Sequence, residues 1–172
     1  MPIDPPHIPP AVASPSPPGR GRINEGNVEF GVHVGETLEF SKTVGESDIY
    51  LFAGITGDFF ANHVNEEYMK KTPFGHRIAH GVLILAFAGT ASSMVSTKSL
   101  EKSDRFAPVS LGYDRVRFLK PVFIGDTITI RYTIEKLEPE RGRSIAKIEA
   151  INQDGSLVMV AEHIMKWVEK RG

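Results

Sequence analysis

Hydrophobic and polar positions alternate along the second half of this chain and cluster without alternation along its middle. From Asp126 to Ile134 the residues Ile128, Ile130, Tyr132 and Ile134 fall on one face, and Thr127, Thr129, Arg131 and Thr133 on the other. That period of two is the signature of a strand with one buried side. Val109–Phe118, Ser144–Ile151 and Leu157–Val168 read as further strands, and the Asp154-Gly155 dipeptide between the last two is a hairpin signal. Earlier, Glu36–Val44 reads as a strand with Leu38 and Phe40 on one face. Glu46–Gly57 reads as a helix, with Ser47 as N-cap and Ile49, Phe52 and Ile55 at helical spacing.

The middle reads differently. Glu66–Lys71 is a short polar helix ended by Pro73, and Ile78 to about Val95 is a long helix. Val82, Leu83, Ile84, Leu85, Ala86, Phe87 and Ala88 leave that helix no polar side, which predicts burial. One buried helix and a run of antiparallel strands make an α+β fold with the sheet wrapped around the helix. The apolar run Gly81–Ala91, broken by Gly89 and Thr90, falls short of the roughly 18 residues of a membrane span, so no membrane partner is expected.

Composition changes the picture at one end. Eight of the twelve prolines lie in the first 18 residues. Proline lacks an amide donor, so residues 1–22 predict a disordered or polyproline-like tail, and residues 23–172 a single domain. The start lacks the charged and apolar regions of a secretory signal. At 172 residues and 41% hydrophobic content the chain suits one domain with a full core. A net charge of -1 argues against a nucleic-acid partner. With no cysteine, disulfides and thiol catalysis are excluded, and a reducing cytoplasm is the expected location.

The candidate chemistry is concentrated between Gly57 and Gly81. Asp58 and His63 lie five residues apart, and His80-Gly81 opens the apolar helix. Taken singly, an Asp there is often a turn residue and a His often structural. His33, His76 and His163 have no partner motif and read as surface or sheet residues. His76 and His80 are four apart, but Pro73 and Gly75 place His76 in a loop, so no metal is expected.

Together these residues resemble a known family. Gly57-Asp58, His63, Phe74-Gly75 and Ile78-Ala79-His80-Gly81 match the first signature of the MaoC-like dehydratases, the group that contains the R-specific enoyl-CoA hydratases. Val116 to Asp126, VRFLKPVFIGD, resembles their second signature. The resemblance runs from about Val34 to Val168 and implies a hot-dog fold. It implies reversible addition of water to a 2-enoyl-CoA to give an (R)-3-hydroxyacyl-CoA, with Asp58 and His63 as the water-activating pair. Gly81 then offers its backbone N–H to the thioester oxygen. Coenzyme A is part of the substrate, and no cofactor is expected. Ile78, His80, Gly89, Arg117 and Lys120 are the candidate substrate-binding residues, the two cations as partners for nucleotide phosphates. A homodimer or dimer-based oligomer is implied as well.

One departure stands out: Phe60 and Ala61 occupy the family's Asn-Pro pair. It is the only support for a binding module that has lost activity. A thioesterase on the same fold would need a carboxylate near the central helix, and Val82–Val95 holds none.

Overall fold

The computed structural model describes residues 30–171. The tail expected over residues 1–22, and the point where the domain begins, lie outside them. Five strands form one antiparallel sheet in the order β1-β3-β4-β5-β2. These are β1 (Thr37–Thr43), β2 (Phe106–Phe118), β3 (Thr127–Glu138), β4 (Arg143–Ile151) and β5 (Leu157–Glu169). Four helices come between β1 and β2: α1 (Glu46–Thr56), α2 (Ala61–Val64), α3 (Glu66–Met69) and α4 (Gly81–Lys102).

The alternation read from the sequence sets the core. Ile128, Ile130, Tyr132 and Ile134 of β3 are all buried, as are Ala146, Ile148 and Ala150 of β4. They face Leu83, Ile84, Phe87, Ala88, Ala91 and Val95 of α4 across one cluster. The solvent face of the β1–β3 pair carries hydroxyls instead: Thr37 meets Thr133, Ser41 meets Thr129, and Thr43 meets Thr127 at 2.7–3.0 Å.

Three local expectations change. The N-cap of α1 is Gly45, not Ser47. Its amide donates to the Asp48 carboxylate at 2.8 Å, so the cap is made by a carboxylate reaching back rather than a hydroxyl reaching forward. In α1 the buried residues are Ile49 and Ala53, while Ile55 is 84% exposed. At 100° per residue, Ile55 stands about 120° around the helix from Ile49, off the buried stripe. The long helix begins at Gly81 instead of Ile78 and continues to Lys102, past Val95.

Helix α4 is also not buried all round. Val82 is 57% exposed and Met94 40%, and the exposed line between them is made of small residues. By length and composition alone α4 would reach across a bilayer, but its apolar face lies on the sheet. Its far end is anchored. Lys98 pairs with the buried Glu36 carboxylate at 2.7 Å, Lys102 donates to the Gly31 carbonyl at 2.9 Å, and the Ser99 hydroxyl donates to the Phe30 carbonyl.

Candidate active site

The segment between α1 and α4 holds the expected chemistry together. Helix α1 stops at Gly57, whose left-handed φ of 80° turns the chain away from the helix axis. Asp58 follows in extended chain, half exposed, and its Oδ1 accepts from the Phe60 amide at 3.3 Å. The Phe60 carbonyl in turn accepts from the His63 amide at 2.9 Å. The Asp58 carboxylate and the Phe60 backbone close this loop without help from the Phe60 and Ala61 side chains, so that pair in place of Asn-Pro still brings His63 back towards Asp58.

His63 is buried and oriented. Its Nδ1 lies 2.8 Å from the Ile78 carbonyl. A carbonyl only accepts, so Nδ1 carries the proton and the neutral ring keeps a bare lone pair on Nε2. Burial lowers the pKa of His63, with the neighbouring His80 acting the same way; the Ile78 hydrogen bond and Asp58 oppose them, and the net direction is down. The ring is thus held neutral, with the lone pair on Nε2 able to accept a proton.

His80, the N-cap residue of α4, stacks face to face on His63 with ring centroids 3.7 Å apart. Its Nε2 donates to the Asp58 carbonyl at 3.0 Å and lies 4.0 Å from the Asp58 carboxylate. His80 therefore fixes both members of the pair, the loop of one and the ring of the other. Its Nδ1 is buried without a partner among the described residues. Asp58, His63 and His80 each bring a potential ligand atom within 4.8 Å of the others. These separations suit a proton passed between the groups directly or through one water.

A cleft of about 480 Å³ opens beside this cluster. His63, Ile78 and Gly81 line it, with Asn62, Phe74, Phe118 and Lys120. Gly81 is the first residue of α4, so its N–H has no carbonyl a turn behind it in that helix, and the helix dipole favours negative charge there. Lys120 stands at the cleft with its ammonium on the Ser156 hydroxyl at 2.9 Å. Four expected residues lie outside the cleft lining. Asp58 and His80 join the site through His63, which they flank. Gly89 lies two turns along α4, and Arg117 folds its guanidinium onto its neighbour's carbonyl, that of Val116, at 2.7 Å.

His163 is the histidine the sequence undervalued. It is fully buried on β5. Its Nδ1 meets the Tyr132 hydroxyl at 2.7 Å and its Nε2 the Ser110 hydroxyl at 2.8 Å, with Tyr113 stacked on the ring at 4.6 Å. Burial drives its pKa down to about 4 and that of Tyr132 up.

A twisted sheet closed on one long helix, with an acid–imidazole pair at that helix's start, defines a hot-dog hydro-lyase architecture. The model of the MaoC-like domain matches residues 29–154, and the chain belongs to that family. The (R)-specific enoyl-CoA hydratase of Rhodospirillum rubrum is 41% identical over 107 residues, 62% of this chain and 69% of the relative. The 3-hydroxybutyryl-CoA dehydratase of Methylorubrum extorquens is 35% identical over 113 residues, 66% of this chain and 67% of the relative. Among solved structures, the unliganded R-hydratase PhaJ1 of Pseudomonas aeruginosa superposes with a TM-score of 0.68 at 27% identity, covering 81% of this chain and 84% of that one.

Proposed function

We propose that this protein adds water reversibly to 2-enoyl-CoA thioesters, giving (R)-3-hydroxyacyl-CoA. The observation that carries the site assignment is the bare Nε2 of His63, fixed by the Ile78 carbonyl and stacked on His80, in the wall of a cleft that also holds the Gly81 amide. The hydratase and dehydratase relatives support the reaction class.

Each step follows from a group in place. Asp58 and His63 hold one water, and His63 Nε2 takes its proton as the oxygen bonds to C3. The displaced electron pair moves through C2 to the thioester oxygen, where the Gly81 N–H meets the enolate charge. The enolate then collapses, and C2 takes a proton from the same acid–base pair. Dehydration runs these steps backwards. Only a proton and a water move, so the chemistry calls for neither electron carrier nor metal. Lys120 at the cleft is the cation placed to meet a CoA phosphate.

The working unit we propose is a homodimer or an assembly of dimers. Strand β2 supports it: it is thirteen residues long, lies at the sheet edge, and leaves Val109 and Leu111 about half exposed. Light scattering on the purified chain checks this, and a monomer at micromolar concentration would remove it.

The deciding experiment follows the enoyl-thioester absorbance after mixing crotonyl-CoA with the protein, with Asp58→Asn alongside. Loss of the band in the wild type alone establishes the reaction and places Asp58 in it. Silence from the wild type with short, long and branched enoyl-CoAs would favour a binding module instead.

A further inference from the structure

Three large apolar side chains remain about half exposed along the same cleft: Phe74 at 47%, Phe118 at 51% and Leu119 at 50%. Uncovered apolar surface gathered beside catalytic groups marks where the apolar part of a ligand lies. Of the three, Phe118 stands nearest Gly81. It ends β2, beyond a slip in the pairing with β5 between Asp114 and Arg117, where Arg115 takes a left-handed φ of 53°. After the slip Phe118 pairs with Met159, and its ring rests on Gly81. A methyl group on Gly81 would sit 2.9 Å from three ring carbons, closer than carbon atoms approach without displacement. Gly81 therefore lacks a side chain here for a packing reason as well as a catalytic one. The ring occupies the space beside the amide that receives the thioester oxygen.

We propose that Phe118 sets acyl selectivity, acting as a wall that admits a straight chain beside the thioester carbonyl and turns away bulk at that position. This rests on the acyl-thioester reading of the site. The ring is half exposed and ends an edge strand, so its replacement leaves the core cluster intact.

Binding of butyryl-CoA and isobutyryl-CoA, which cannot be hydrated, is measured by calorimetry for wild type, Phe118→Ala, Phe118→Leu and Phe118→Trp. Turnover of crotonyl-CoA and its 2-methyl analogue is measured beside it. The wild type should prefer the straight chain by about tenfold or more, Phe118→Ala should erase the preference, and Phe118→Trp should sharpen it. Phe118→Leu carries the test if the Ala variant fails to fold. A second arm adds Gly81→Ala, which should lower binding and turnover, with recovery of about tenfold when Phe118→Ala is placed in the same chain. Equal straight-to-branched ratios in all variants, or no recovery in the double variant, overturns the proposal. A wild type that binds acyl-CoA without turnover would sink the hydratase reading while the binding ratios still judge Phe118. A wild type that binds neither thioester overturns both.

Discussion

His63 and His163 are both buried, and both rings have a pKa pushed below the ordinary imidazole value by burial. They differ in what their two nitrogens face. His63 has Nδ1 tied to a carbonyl, Nε2 without a hydrogen-bond partner among the described residues, and a place in the wall of the cleft. His163 has both nitrogens taken, by Tyr132 and by Ser110. The buried Tyr132 hydroxyl has no other hydrogen-bond partner among the described side chains, so it donates to Nδ1, and Nε2–H then donates to Ser110. The Ser110 oxygen is an acceptor in that chain, and so is not activated for attack. One tethered nitrogen leaves His63 free to act as the reagent proposed above; two make His163 a strut between β3, β5 and β2.

The largest expected effect tests the reagent. Asp58→Asn and His63→Gln should each cut kcat/KM for crotonyl-CoA by about 10²–10⁴-fold. The melting temperature of Asp58→Asn should stay close to wild type, since that carboxylate is half exposed. A comparable loss of stability and activity would mean the site had collapsed, and the contrast with His163 would go.

The strut should show itself in acid. The folded pKa of His163 is about 4 against an ordinary 6.5, so below pH 6.5 the unfolded chain binds the proton first. Stability is then full above about pH 6.5 and declines to about pH 4, by about 3 kcal/mol in all. Denaturant melts across that range check it. His163→Phe should lose much of this slope and should cost about 1–3 kcal/mol at neutral pH, by leaving the Tyr132 hydroxyl unpaired. Its kcat per folded molecule should stay near wild type. A large fall in kcat would make His163 more than a strut.

His80 sits between the two cases, and two substitutions divide its roles. His80→Phe keeps a flat ring on His63 but loses the hydrogen bond to the Asp58 carbonyl; His80→Ala loses both. We expect kcat to fall about tenfold in the first and further in the second, with KM little changed. Equal values would show that stacking contributes nothing. The smallest effect is in the pH profile. Because burial lowers the pKa of His63, kcat/KM should hold below pH 6.5 before falling as Nε2 is protonated. His80→Phe removes a like charge that opposes protonation of His63, so the acid limb should move slightly upward.

This contrast also marks how far the sequence reaches. That Asp58, His63 and Gly81 come together was legible because they lie close along one stretch, and the chain between them closes on itself through local hydrogen bonds. The faces of β3 were legible because alternation is local too. The partners of His163 were not. Alternation along β5 tells that position 163 points inward, but Tyr132 and Ser110 reach it from strands distant in sequence. The role of Gly45 was hidden for a related reason: its cap is formed by the side chain of Asp48, and the hydroxyl of Ser47 was the more obvious candidate. Gly89 rested on its place along the helix in the family pattern and Arg117 on its charge in a basic strand; neither says which way a residue faces, and neither lines the cleft.

The anchoring of α4 to Phe30 and Gly31 has a practical side. Ser99 and Lys102 hold that entry point, while Gly81 and the cleft stand at the helix's other end. Eighteen residues of helix separate Gly81 from Ser99, roughly 27 Å. Phe30, where the described residues begin, therefore sits at the pole opposite the cleft. A surface linkage or a fluorophore attached at that end of α4, for instance at the exposed Glu101, would leave the mouth of the cleft open to substrate.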